Sequence, residues 1–151
     1  MRHRLLPALL LFAAVAAGPL HADSMEATRV IGMSLTSVVT ELGLPQSMFT
    51  YRGADESQDD VVFYYPDHSY LFWYKDRVWQ VRYDRRATAV VHGVSLGMSR
   101  AEVQAVVPER PLVESGDSLY FDLDGTSFPI RVRLVFAGSS VTDIYVYRSD
   151  Y

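Results

Sequence analysis

The sequence predicts an α+β fold: two tandem repeats, each a short helix packed on a three-stranded antiparallel meander, together one two-layer unit. Three observations predict it. The triplet Gly32-Met33-Ser34 returns as Gly97-Met98-Ser99, each time ahead of a helical apolar pattern. Near the end of each half, Val78-x-x-Val81-x-Tyr83 matches Val141-x-x-Ile144-x-Val146. Just upstream, Leu71-x-Trp73 matches Leu134-x-Phe136 at that same offset. Blocks that recur in the same order at nearly one spacing are the signature of an internal repeat.

The first helix rests on Leu35, Val38, Val39 and Leu42, which fall on one helical face. Ser34 is placed to cap it, Gly43 to end it, and Pro45 to prevent its restart. A further short helical turn is expected after Pro45. Strands follow at about 61–65, 70–74 and 78–83, rich in β-branched and aromatic residues, with Pro66-Asp67-His68 and Lys75-Asp76-Arg77 as turns. Residues 84–93 join the halves. In the second half Ser99 and Glu102 have capping-box spacing, Val103, Val106 and Val107 give the apolar face, and Pro108 stops the helix. Strands are expected at about 119–123, 129–136 and 141–147, with turns at Asp124-Gly125 and Gly138-Ser139. A module of about 60 residues is marginal alone, so the halves are expected to pack as one unit, with their sheets side by side or continuous.

The amino terminus has the order of a secretory signal: basic Arg2, His3 and Arg4, an apolar run over 5–17, then Gly18 and Pro19 ahead of Leu20-His21-Ala22. The run is shorter than the roughly 20 residues a membrane-spanning helix needs. Cleavage is expected after Ala22, with Ala17 the second choice. The organisation is then 1–22 signal peptide, 23–86 first repeat and 87–151 second repeat. Removing Arg2 and Arg4 leaves 12 basic residues against 18 acidic ones. So acidic a chain argues against nucleic acid, whose binding depends on neutralised phosphates. There is no cysteine, which excludes disulfides, thiolate metal sites, a cysteine nucleophile and an amino-terminal lipidated cysteine.

Taken together, a strand residue, Gly-Met-Ser, a short apolar-faced helix, Leu-Gly-x-Pro and a meander resemble the SmpA/OmlA (BamE-like) domain. Doubled in tandem, they resemble the β-lactamase-inhibitor-protein arrangement. The matching residues are Gly32-Met33-Ser34, Val38, Leu42-Gly43-Leu44-Pro45, Gly97-Met98-Ser99, Val103 and Val107-Pro108. The resemblance implies a non-enzymatic, extracytoplasmic protein that binds other proteins. Its partner would be the outer-membrane assembly machinery in one family, and an enzyme gripped by a concave aromatic-lined sheet in the other. Two features depart from the pattern. No cysteine can carry a lipid anchor, and Val107-Pro108-Glu109-Arg110-Pro111 replaces Leu-Gly-x-Pro in the second half.

Residues for chemistry are few, and no catalytic residue, metal ligand or cofactor is expected. Beyond the signal the histidines are His68, in a tight turn, and His92, in the connection between the halves. Asp122-Leu123-Asp124-Gly125 starts like a calcium loop but lacks the later ligands, so it reads as a hairpin turn. The acidic run 55–60 reads as a solvated loop, with weak cation binding as the alternative. No phosphate loop, G-x-S-x-G or H-E-x-x-H is present.

The aromatic load is the informative feature. If Leu71 and Trp73 face the helix, alternation turns Tyr70, Phe72 and Tyr74 outward, and Arg82, Arg131, Arg133, Tyr145 and Tyr147 share that face. Tyr and Arg are enriched at the energetic centres of protein interfaces. These eight residues are the candidate partner-binding face of a periplasmic or secreted module, its partner a protein of the cell envelope. The alternatives are that the loop after Pro45 or the other repeat covers this face, that the chain is a structural or assembly accessory protein whose aromatics are buried in a homodimer, and that it is an enzyme with a site at the junction of the halves near His92 and the acidic loop.

Overall fold

The structure, a computed structural model, describes residues 26–53, 60–107, 111–124 and 127–151. The expected signal peptide and cleavage point lie outside the described residues, as does most of the acidic run 55–60.

The two Gly-Met-Ser triplets do the same local work. Gly32 and Gly97 take φ of 86° and 87°, left-handed values that a side chain at either position would oppose. At Gly32 an added Cβ would also stand 2.7 Å from the Phe128 ring. This bend delivers Ser34 and Ser99 to the helix starts. Ser34 caps α2 (Leu35–Leu42), accepting from the Ser37 N–H at 3.2 Å. Ser99 and Glu102 form a complete capping box on α3 (Arg100–Val106). An earlier single turn, α1 (Ala27–Val30), buries Ala27 and Val30.

The strands are β1 (Ser47–Tyr51), β2 (Asp60–Tyr64), β3 (Ser69–Tyr74), β4 (Arg77–Tyr83), β7 (Val113–Ser115), β8 (Ser118–Leu123), β9 (Ile130–Ala137) and β10 (Ser140–Arg148). Between the halves, β5 (Val90–Val91) and β6 (Val94–Ser95) make a separate small hairpin. The Gly32 N–H donates to Val78 O at 2.7 Å and the Val78 N–H to Met33 O at 3.1 Å. Gly97, Val141 and Met98 repeat these bonds at 2.8 and 2.9 Å. Each triplet is thereby stitched to the start of β4 or β10.

The expected pair of helix-plus-meander repeats is corrected here. The architecture is one continuous eight-stranded antiparallel sheet in the order β1-β2-β3-β4-β10-β9-β8-β7, with few and short helices. Each half contributes four strands. The segment after Pro45, expected as a helical turn, is β1, paired to β2 from Ser47↔Tyr64 to Tyr51↔Asp60. On the other edge the three residues of β7 pair with β8. The halves meet strand to strand, with Tyr83↔Ile144, Arg82↔Tyr145, Val81↔Val146 and Gln80↔Tyr147 across β4 and β10. Backbone groups that would be edges in two separate meanders are satisfied across this seam.

One face of the sheet carries the main core. Leu71, Trp73, Val81, Ile144, Val146, Val132, Leu134, Phe136, Leu119 and Phe121 are buried there with Val30, Val38 and Val103 of the helices. Burial along β9 alternates strictly through Ile130, Val132, Leu134 and Phe136. The other face is left to the aromatic and arginine side chains. Among the described residues, no helix is long and apolar enough to cross a membrane.

Candidate binding groove

A period of two puts Phe49 and Tyr51, Tyr70, Phe72 and Tyr74, Arg82, Tyr145 and Tyr147, Arg133, and Tyr120 on the face opposite the core. The residues belong to β1, β3, β4, β10, β9 and β8, and together they line a groove of about 850 Å³. Bulges modify the alternation at one place in each half. The register shifts opposite Phe72 and Trp73, which leaves Trp79 as an extra residue on β4, and shifts again at Thr142 on β10. A bulge redirects a side chain, and here both Trp79 and Gln80 line the groove.

Seven of the eight residues expected on the outer face line this groove: Tyr70, Phe72, Tyr74, Arg82, Arg133, Tyr145 and Tyr147. Arg131 stands on the same face but is not part of the lining. Its guanidinium grips Asp122 through two bonds of 2.7 and 3.0 Å. The face is not uniformly open, as alternation alone would have it. Phe72 is only 7% exposed, packed edge-on beneath Tyr51 at a centroid distance of 6.1 Å. Phe49 approaches Tyr70 in the same manner, at 6.4 Å. Strand β1 thus builds one wall of the groove over β3.

The floor is a run of rings and stacked cations. Arg82 lies over Tyr70 and Tyr145 at 5.2 and 5.6 Å, and its Nε and Nη2 donate to Asp143 Oδ1 at 2.8 and 2.5 Å. Arg133 lies over Tyr145 and Tyr120 at 5.6 and 5.9 Å, and its Nε donates to Ser118 Oγ at 3.1 Å. Tyr145 therefore stands between two guanidinium groups. Burial leads in raising its phenol above the ordinary range, opposed by the Arg82 charge. Further along, the Trp79 indole N–H donates to Asp60 Oδ1 at 3.1 Å and the ring meets Tyr147 edge-on at 6.5 Å. Tyr151 closes that end, with its ring 5.1 Å from Tyr74.

At the margin, Tyr70 donates its hydroxyl to Asp84 Oδ2 at 2.9 Å. Asp84 is buried and also accepts from the Arg86 backbone and guanidinium. Burial opposes its charge, but the bonds from Arg86 and Tyr70 outweigh that and hold the carboxyl well below its usual range. The histidines stand apart from the groove lining. His68 holds a left-handed turn with φ of 63°, its Nδ1 2.7 Å from the Tyr64 hydroxyl, and His92 takes φ of 48° between β5 and β6. No group of three or more His, Asp or Glu side chains that could hold a metal ion occurs among the described residues.

Phe49, Tyr51, Tyr120, Trp79 and Tyr151 escaped the expected set. Tyr120 alternates with the core residues Leu119 and Phe121, and that parity was available to find it. Trp79 depends on a bulge, and Phe49 and Tyr51 on a strand read as a turn.

No family model and no curated protein sequence matches the chain. Solved structures do share its architecture. One is an extracellular protein containing a SCP domain from Bacillus anthracis, with a TM-score of 0.54 at 14% identity. The match covers 85% of this chain and 47% of that one. A second is a cysteine-rich secretory protein from Staphylococcus aureus, with a TM-score of 0.51 at 12% identity, covering 81% of this chain and 46% of that one. The chain thus spans about half the length of each. These neighbours overturn the expected membership in the SmpA/OmlA or β-lactamase-inhibitor-like families. The short Gly-Met-Ser and helix pattern that suggested it records a local bend and cap, which unrelated families can share. At these identities the likeness is one of fold.

Proposed function

We propose that this protein is an exported, non-enzymatic binding module that holds another protein of the cell envelope or its surroundings in the groove. The observation that carries the reading is the lining itself: ten of its fifteen residues are aromatic, and two others are arginines stacked on tyrosine. Tyr, Trp and Arg dominate the energetic centres of protein interfaces, because rigid amphipathic rings give large contact area at small entropic cost. Export is supported by the signal-like amino terminus and agrees with the extracellular neighbours. The acid of the groove, Asp60, accepts the Trp79 indole N–H and so belongs to the aromatic lining.

The test is affinity capture from an envelope and medium extract, with the exported chain and its Tyr74→Ser/Tyr147→Ser variant as parallel baits. A protein retained by the first and lost from the second, with both baits folded, is the expected result. Equal retention by both baits would move the binding surface elsewhere. The mass of the exported chain should correspond to a start at Asp23; retention of Met1 would remove the export reading.

Self-association is the second reading, and β1 supports it. This strand is a sheet edge with Met48 66% and Tyr51 55% exposed, a surface suited to pairing with a second copy. A concentration-independent monomer mass in sedimentation would eliminate it.

A further inference from the structure

The two groove arginines are built alike and finished differently. Each is stacked against Tyr145 and one further tyrosine, which fixes the plane of its guanidinium. Arg82 is completed by a carboxylate of its own chain, Asp143. Arg133 is held at Nε by Ser118, a buried hydroxyl that itself donates to Asp117 Oδ1 at 2.9 Å. Among the described residues the hydrogen bond shown for its guanidinium is this one from Nε, and its side chain lines the groove. A planar, weakly hydrated fork of donors fits a carboxylate through two parallel bonds.

We infer that the groove takes an extended acidic peptide segment of a partner protein, with one carboxylate seated on the terminal nitrogens of Arg133, whose Nε is held by Ser118. This rests on the protein-binding reading of the same groove. The dimensions favour an extended chain over a single small ligand. From Tyr51 on β1 to Tyr120 on β8 the groove crosses six strand spacings, roughly 29 Å at about 4.8 Å each. An extended chain covers that distance in about nine residues. Its peptide planes and apolar side chains would lie along Phe49, Tyr51 and Trp79. The carboxylate at Arg133 would set its register.

The experiment is selection of random dodecapeptides on the immobilised exported chain, beside Arg133→Gln and Arg133→Lys variants. The selected peptides are then titrated by the fluorescence of the groove tryptophan. Wild type should enrich peptides with an Asp or Glu at one fixed position, and Arg133→Gln should lose that enrichment. A selected peptide should weaken about tenfold when its acid becomes the amide. It should weaken similarly on Arg133→Gln and recover partly on Arg133→Lys, while the amide peptide binds wild type and Arg133→Gln alike. Peptides enriched without an acid, or an acid preference that survives Arg133→Gln, would overturn the carboxylate assignment and leave the protein-binding reading standing. No enrichment by wild type would overturn both. Binding of an oligouronate with no peptide selected would assign the anion site to acidic glycans and sink the peptide proposal.

Discussion

The two faces of the one sheet are made from the same strands and follow opposite rules. On the core face Leu71, Val81, Ile144, Val132 and Leu134 are fully buried aliphatics closed over by three short helices. On the groove face the same strands carry Tyr70, Arg82, Tyr145 and Arg133, side chains that join an apolar body to a polar tip. Aliphatic burial holds the fold, at about 25 cal/mol per Å² of apolar surface removed from water. The groove face buries comparatively little, and its order comes from ring stacking and side-chain hydrogen bonds. Strand parity thus separates the residues that hold the fold from those proposed to bind a partner. Substitutions one residue apart should therefore have unlike effects.

Truncation of the core face should have the largest effect. Leu71→Ala or Leu134→Ala should cost about 2–5 kcal/mol in urea unfolding, because each leaves a cavity among packed aliphatics. A cost below 1 kcal/mol would mean the faces are assigned backwards. Phe72 tests where the groove face gives up its independence. Buried beneath Tyr51, it should cost about 2–3 kcal/mol as Phe72→Ala, less than a deep core ring because its cover is one exposed strand. A neutral result would show that Tyr51 does not cover it in solution.

Asp84→Asn should have a smaller effect, about 1–2 kcal/mol near neutral pH, discounted because Arg86 reaches solvent. Its sign with pH follows from the lowered carboxyl. The charge stabilises the fold fully above the unfolded value of about 3.9, and that contribution is lost as pH falls through the lower folded value. Wild type should therefore lose stability below about pH 4 more steeply than the Asn variant. Superimposable acid limbs would remove Asp84 as the brace of Tyr70. The smallest effect belongs to Tyr74→Ser and Tyr147→Ser, each about 0.5–1 kcal/mol below wild type, because each half-buried ring gives up one aromatic contact.

Strand parity was the part most legible in the residues. Ile130, Val132, Leu134 and Phe136 alternate without a break, so the placement of Arg131 and Arg133 opposite them followed directly. Whether the two sheets lie side by side or run on as one was left open by the residues, because continuity depends on β4 finding β10 some sixty residues further along, and no local pattern encodes that pairing. Strand β1 was missed because Ser47-Met48-Phe49-Thr50-Tyr51 begins two residues after Pro45 and has apolar residues at both parities. Trp79 entered the groove through a bulge, which adds a residue that simple alternation cannot anticipate. The family resemblance failed for a related reason. A glycine bend, a serine cap and a short helix are local solutions, and the arrangement of eight strands is a global one.

The two tryptophans report on the two faces separately. Trp73 lies in the core with its indole N–H unpartnered among the described residues, and Trp79 lines the groove with its N–H on Asp60. The pair of indole resonances can be followed in a nitrogen–proton correlation spectrum of the chain beginning at Asp23 as the protein partner recovered by capture is added. The Trp79 signal should shift or broaden with saturation while the Trp73 signal stays in place. A partner that binds and leaves Trp79 unmoved, or that moves Trp73 alone, would contradict the claim that the open face of this sheet is its binding surface.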